Sequence, residues 1–133
     1  MYIAVSLQLK RIAALLSTPP GESEGIHIDL YHYTIKPFDL NFYLKNRNGI
    51  HLTSDEYYMT KHGLTGPYET KVTGNIKVKI LNRQLEGVRD IEADIAINQG
   101  YDAIADNKEF NDVYVFKKSF HKLKFDALRK LSI

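Results

Sequence analysis

Histidine, tyrosine and aspartate side chains in three short segments are the groups of this chain that could do chemistry. The first segment is Leu30-Tyr31-His32-Tyr33-Thr34, the second runs from Gly49 to Asp55, and the third runs from Gly100 to Phe116. An imidazole, a phenol ring and a carboxylate can bind a ligand together if the fold brings them to one crevice. Taken singly, His32 also fits a hydrogen-bonded strand histidine, and Asp112 fits a turn residue beside a hairpin.

Several other kinds of site are excluded or disfavoured by residue type and spacing. The five histidines, at positions 27, 32, 51, 62 and 121, show no His-x-His or i, i+4 pair, so the sequence predicts no preformed zinc site. The absence of cysteine excludes a disulfide scaffold, a thiol nucleophile and thiolate zinc ligands. No glycine-rich phosphate loop of the Rossmann or Walker type occurs.

Length and composition are those of one globular domain, and we take residues 1–133 as a single domain. The chain has 133 residues, 44% of them hydrophobic and 26% charged. The net charge of +2 is too small to indicate nucleic acid by itself. No apolar run approaches the roughly 18 residues that span a bilayer, so no membrane association is expected. The first positive charges follow the apolar N-terminal stretch, the reverse of an export signal, so a cytoplasmic location is expected.

The N-terminal half is predicted to contain two helices and two strands. Apolar residues at helical spacing predict a helix over 3–16, ended by the Pro19-Pro20-Gly21 run. Alternation predicts a strand over 26–33, followed by a long loop over 34–48. A short strand over 49–53 then leads into a helix that begins near Ser54 and ends at Gly63.

The C-terminal half is predicted to be richer in strands. The pattern indicates a strand over 70–80 bent at Gly74, then a helix over 86–99 capped by Gly100. Strands are predicted over 101–105 and 111–116. The region 119–131 is ambiguous, and a strand to Phe125 followed by a helical turn is the interpretation adopted. Because hairpins outnumber crossovers in this order, the sequence predicts an α+β fold with a mostly antiparallel sheet.

The three segments, taken in order over residues 26–125, resemble the ADP-ribosyltransferase-like fold. The resemblance is to the diphtheria-toxin and poly-ADP-ribose-polymerase side of that group, in particular to bacterial and phage-borne domains with a His-Tyr-Asp signature. It implies a split, mostly antiparallel sheet with flanking helices, to which the helix over 3–16 would be an addition. It also implies transfer of ADP-ribose from NAD to a protein or nucleic-acid acceptor, with release of nicotinamide.

The resemblance assigns roles to particular residues. His32 would bind the ribose hydroxyls of NAD with support from Thr34, and the Tyr33 backbone would meet the nicotinamide amide. Tyr57 or Tyr58 would stack on the nicotinamide ring, and Asp112 would hold the catalytic acid position. His51 and Thr53, on the strand that leads into that helix, would complete the NAD-binding residues.

Three departures from the family pattern leave alternatives open. His51 stands where tyrosine is frequent, Asp112 where glutamate is frequent, and Tyr33 where glycine is frequent. These departures are compatible with a catalytically inactive binding or inhibitor protein on the same fold, for which the helix over 3–16 would be a docking element or a dimer contact. The basic run over 117–130, with the tyrosines, also suits a small nucleic-acid-binding domain.

Overall fold

The structure is a computed structural model that describes residues 25–55, 67–88 and 90–130, of which 127–130 are described by their backbone. The predicted helix over 3–16, with its docking or dimer role, lies outside these residues. So does the helix expected after Ser54, which carries Tyr57 and Tyr58.

The described residues form two sheets, and the first consists of three antiparallel strands in the order β1-β3-β7. These are β1 (Ile26–Thr34), β3 (Tyr68–Ile76) and β7 (Leu123–Lys130). Strands β1 and β3 pair along their whole length, from Ile26 opposite Ile76 to Thr34 opposite Tyr68. Since side chains alternate along a strand, Ile28 and Leu30 are buried while His27 and Asp29 face outward.

The second sheet has four strands in the order β2-β6-β5-β4. These are β2 (Gly49–Leu52), β4 (Val78–Ile80), β5 (Ala103–Ala105) and β6 (Val113–Phe116). In the part of the chain that the structure describes, β4–β5 is the only parallel pair of this sheet. A parallel pair requires a crossover, and helix α2 (Asp90–Asn98) provides it.

The two sheets are joined where β1 passes β2. Tyr31 and Thr53 form an isolated antiparallel bridge, with N–H···O distances of 2.8 and 2.9 Å. This bridge brings His32 on β1 beside His51 on β2. Two predicted site segments that are about twenty residues apart in sequence are therefore neighbours in space.

Two buried apolar clusters stabilise the described part of the chain. The larger is formed by inward-facing residues of both sheets, including Ile28, Leu30, Ile50, Leu52, Val72, Val113 and Val115. The smaller lies beneath α2 and contains Leu85, Ala96, Tyr101, Ile104 and Phe116. Full burial of such a side chain contributes roughly 1.5–3 kcal/mol. The α+β class with mostly antiparallel sheets is thus confirmed.

The segment over 34–48 is not the loop that the sequence predicts, because it contains helix α1 (Leu40–Asn46). The Asp39 side chain caps this helix by accepting a hydrogen bond from the Asn41 amide at 3.0 Å. The helix has only seven residues and none is buried. A two-turn helix without a buried stripe leaves little periodic signal, and the loop prediction was wrong for that reason.

The predicted strand over 70–80 is divided between the two sheets, and the division is at Lys77 rather than at a bend at Gly74. The Lys77 amide donates to Asp102 Oδ2 at 2.8 Å, while its carbonyl accepts from the amides of Asp102 and Ala103. Gly74 has another role, because a Cβ there would collide with the Lys122 carbonyl where β7 begins.

The glycine cap predicted for α2 is confirmed, whereas the helical turn predicted near the C-terminus is wrong. Gly100, at φ 85°, follows α2 in the left-handed conformation expected of a C-terminal glycine. The helix itself begins at Asp90 rather than at residue 86. The helical turn expected after Phe125 was wrong, since a 3₁₀ helix (Lys117–Lys122) precedes β7, and β7 extends to Lys130.

Among the described residues, no helix has the length and apolar character required to cross a bilayer.

Candidate functional site

His32 is held by hydrogen bonds at both ring nitrogens. Its Nδ1 lies 2.6 Å from the His51 carbonyl oxygen, and its Nε2 lies 2.7 Å from the Tyr43 hydroxyl. A carbonyl can only accept, so Nδ1 carries the proton. In the neutral ring, Nε2 therefore accepts from the Tyr43 O–H. The surroundings select one tautomer and leave a lone pair on Nε2.

Aromatic rings from α1 and the preceding loop cover the His32 imidazole. The rings of Phe38 and Tyr43 meet it edge-on, with centroids 5.7 and 5.3 Å away. Phe38 in turn stacks on Phe125 of β7 at 5.0 Å. Burial lowers the pKa of His32 to about 4, although the hydrogen bond to the His51 carbonyl acts in the opposite direction. The imidazole is consequently neutral at physiological pH.

The low pKa of His32 predicts a specific loss of stability in mild acid. Because the ordinary histidine pKa is 6.5 and the folded value is about 4, the unfolded chain binds the proton more tightly. The contribution of His32 to the free energy of unfolding is complete above about pH 6.5. It falls by about 3 kcal/mol as the pH drops toward 4. Denaturant unfolding of wild type and His32→Phe at several pH values measures it. Parallel pH curves for the two proteins would contradict the assignment.

His51 and Asp112 form the second part of the site. His51 Nδ1 lies 2.8 Å from Asp112 Oδ1, and the two side chains are 63% and 24% exposed. An ionised carboxylate only accepts, so Nδ1 of His51 carries the hydrogen and the neutral ring has its lone pair on Nε2. The imidazole also lies against the Tyr114 ring, with centroids 4.7 Å apart. Strand pairing explains this contact, since His51 on β2 is opposite Tyr114 on β6.

The turn before β6 fixes the position of Asp112. Asp106 Oδ1 accepts from the Asp112 amide at 3.0 Å, and the Asp106 amide donates to the Asp112 carbonyl at 3.0 Å. Asp106 Oδ1 also accepts from the Asn107 amide. Phe110 closes the turn at φ 57°, in the left-handed region. The carboxylate of Asp112 is therefore presented by an ordered turn, as the sequence suggested for an Asn-Asp pair beside a hairpin.

The other predicted NAD-binding residues make local contacts. The Tyr33 hydroxyl donates to Glu69 at 3.0 Å, and the Thr34 hydroxyl donates to the Lys36 carbonyl at 2.6 Å. Thr53 is buried, and its Oγ1 accepts from the Asp55 amide at 3.0 Å. Tyr33 and Thr34 lie on β1, and Thr53 directly follows β2 and forms the bridge between the sheets with Tyr31. Tyr57 and Tyr58 lie outside the described residues.

A groove of about 770 Å³ begins at the Asp112 end of the site. Its polar lining comes from three places: Asp55 after β2, the loop after β4 with Asn82, Arg83, Gln84 and Glu86, and the turn before β6 with Asp106, Asn107, Asn111 and Asp112. Neither His32 nor His51 is among the described residues that line it. The structure thus joins His51 and Asp112 directly, links His32 to them through the His51 carbonyl, and opens the groove on the Asp112 side only.

Three lysines of the basic run after β6 have partners within the fold. Lys122 forms an ion pair with Asp102 at 2.9 Å, and Lys124 lies 3.7 Å from Asp126. Lys118 approaches the Ile97 carbonyl at 3.5 Å. These contacts reduce the positive charge that this surface can offer to a phosphate backbone.

Tyr43 is the site residue that sequence reasoning missed. It belongs to α1, in the region interpreted as a loop, and no motif includes it. Its phenol pKa is raised by burial, against a smaller opposing effect of Arg47, so the hydroxyl remains a donor to His32 at neutral pH.

Comparison with known proteins adds no family to this description. No protein-family model, no curated protein and no solved structure matches the chain.

Proposed function

We propose that this protein is an ADP-ribosyltransferase-like enzyme that transfers ADP-ribose from NAD to a macromolecular acceptor and releases nicotinamide. The observation that supports it is the linkage of His32, His51 and Asp112 where the two sheets meet, beside a groove of about 770 Å³. Clefts of roughly 300–1,000 Å³ are typical of small-molecule and cofactor sites. The three ordered sequence segments contribute the side chains of this linkage.

His32 is suited to orient the ribose next to the nicotinamide. Its Nε2 lone pair currently accepts a hydrogen bond from the Tyr43 hydroxyl. A ribose hydroxyl, like a phenol hydroxyl, can donate a hydrogen bond to Nε2, so the sugar can take the place of Tyr43 once α1 yields. The Nδ1 contact to the His51 carbonyl keeps the ring in the required tautomer during this exchange.

Asp112 is suited to stabilise positive charge at the reacting sugar carbon. When nicotinamide leaves, the ribose acquires oxocarbenium character, and a fixed carboxylate nearby lowers the energy of that state. Asp112 Oδ1 is occupied by His51, while Oδ2 accepts no hydrogen bond from the described residues. The groove beside Asp112 would receive the remainder of the dinucleotide, with amide side chains such as Asn82 and Asn111 as donors.

A catalytically inactive binding protein on the same scaffold is the second candidate. The observation that favours it is the covered state of His32, whose two ring nitrogens are bonded to the chain itself and whose faces meet Phe38 and Tyr43. In that case the Tyr43 contact is a permanent part of the core and NAD does not displace it.

Titration with NAD separates the two candidates. For the enzyme we expect a thermal shift that corresponds to about 2.7 kcal/mol at one hundred times Kd, together with nicotinamide release and labelling of a host lysate by radiolabelled NAD. A thermal shift without release or labelling would favour the inactive protein. No shift, no release and no labelling would reject NAD as a ligand.

A further inference from the structure

The His51–Asp112 pair has the geometry of an imidazole prepared to receive a proton. Asp112 Oδ1 binds Nδ1 at 2.8 Å, which directs the lone pair of the neutral ring to Nε2. Nε2 has no hydrogen-bond partner among the described residues, and the side chain is 63% exposed. A carboxylate that orients the far nitrogen of an accessible histidine is the arrangement that activates nucleophiles in many unrelated enzymes.

We propose that His51 is the general base of the transfer reaction, that Asp112 positions it, and that the acceptor is a hydroxyl group. This inference rests on the proposed function, which supplies NAD as the donor. It gives His51 a role other than contact with the cofactor, and it defines the acceptor by its chemistry.

The proposed step is a displacement at C1′ of the nicotinamide ribose. The acceptor oxygen forms a bond to C1′ of the nicotinamide ribose while the C1′–N1 glycosidic bond breaks. The electron pair of that bond stays with nicotinamide, which leaves as a neutral molecule. The acceptor proton passes to Nε2 of His51, and the resulting imidazolium is stabilised by the Asp112 carboxylate. Release of that proton to solvent restores the enzyme.

The charge change in this step favours a hydroxyl over a guanidinium acceptor. A neutral hydroxyl is a weak nucleophile and gains most from a base that removes its proton as the bond forms. A guanidinium would instead bring a second positive charge beside an imidazole that becomes cationic. The exposure of His51 allows a hydroxyl on a large molecule to reach it.

Among the described residues, Asp112 is the one charged side chain in contact with the His51 imidazole. From β6, the Tyr114 ring packs against it, and burial, followed by the effect of Asp90, raises the pKa of that phenol, which keeps it neutral. From β1, His32 contacts the His51 carbonyl and is itself neutral above about pH 4.

The test uses the whole protein, NAD as donor, and methanol or agmatine as small hydroxyl and guanidine acceptors. Wild type should form the methyl glycoside of ADP-ribose in preference to the agmatine adduct. His51→Ala should lower kcat for methanol transfer about 100-fold and change KM for NAD less than about twofold, and added imidazole should restore part of the rate. His27→Ala, an exposed histidine at the far end of β1, is the matched control and should behave as wild type.

Asp112→Asn tests the positioning role. Asparagine can still accept from Nδ1 but lacks the charge that favours the imidazolium, so the acid limb of the pH–rate profile should move to lower pH. A purely structural role for Asp112 would change the rate without moving that limb.

The outcomes separate the two levels of the proposal. Wild type that transfers ADP-ribose while His51→Ala retains the same kcat, or loses affinity for NAD alone, would overturn the general-base role and leave the proposed function intact. Preference for agmatine over methanol would overturn the acceptor class. Wild type that releases no nicotinamide would reject both the proposed function and this inference.

Discussion

Replacing His32 by alanine is expected to lower the rate of nicotinamide release from NAD by about 100-fold. Under the proposed function, His32 Nε2 accepts a hydrogen bond from a ribose hydroxyl of NAD. That hydroxyl takes the place of the Tyr43 hydroxyl, which lies 2.7 Å from Nε2 in the structure. Loss of a fixed acceptor lets the sugar shift, and misplacement by about 1 Å can cost a factor of 100. The measurement is single-turnover nicotinamide release at saturating NAD, with folding verified by thermal denaturation at the same pH.

Tyr43→Phe is the companion variant to His32→Ala, and it is expected to strengthen the binding of NAD. It keeps the aromatic ring against His32 and Phe38 but removes the hydroxyl that competes with the ribose. A neutral hydrogen bond contributes about 1 kcal/mol, so the Kd for NAD should fall about fivefold. If His32→Ala leaves nicotinamide release unchanged, or Tyr43→Phe weakens NAD binding, His32 does not bind the ribose.

Local alternation was sufficient to predict the strands that carry the site. Ile28 and Leu30 alternate with polar residues on β1, and the short β2 strand between Gly49 and Leu52 lies within its predicted range. Each strand has one face in the core, and the period of two in the sequence directly reflects that burial. Helix α1 carries no such signal. Its partly buried Tyr43 packs against the His32 ring of β1, and the helix has no apolar stripe along its own length.

The contact between His51 and Asp112 could not be derived from the sequence alone. The residues are 61 positions apart, and their meeting depends on the β2–β6 register, which places His51 opposite Tyr114. A slip of one residue would turn His51 toward the core. The expectation that residues 32 and 112 share a crevice required the same long-range information. The structure links them through His51 and opens the groove only beside Asp112.

Asp102→Ala is expected to destabilise the protein by about 3 kcal/mol, the other large effect among these predictions. The Asp102 side chain is buried and accepts from Ser119 Oγ at 2.7 Å, from Lys122 Nζ at 2.9 Å and from the Lys77 amide at 2.8 Å. Alanine removes every acceptor at once, and a buried hydroxyl or amide left without a partner costs about 1–3 kcal/mol. Because Lys77 is where the chain passes from one sheet to the other, the loss should affect the cooperative unfolding of the whole domain.

The pH dependence of this contribution has a defined sign. Burial alone would raise the pKa of Asp102, but the hydrogen bonds from Ser119, the Lys77 amide and Lys122 outweigh it, so the folded pKa lies below the ordinary 3.8. A carboxyl whose pKa is depressed by folding stabilises the protein above its unfolded pKa and loses that effect as the pH falls through the folded value. The difference in the free energy of unfolding between wild type and Asp102→Ala should therefore be largest at neutral pH and should begin to shrink only as the pH falls below about 4. Asp126→Ala, which breaks the surface pair with Lys124, is the control and should change the free energy of unfolding by less than about 1 kcal/mol. Equal effects of the two substitutions at pH 7 would show that the buried carboxylate does not hold the two sheets together.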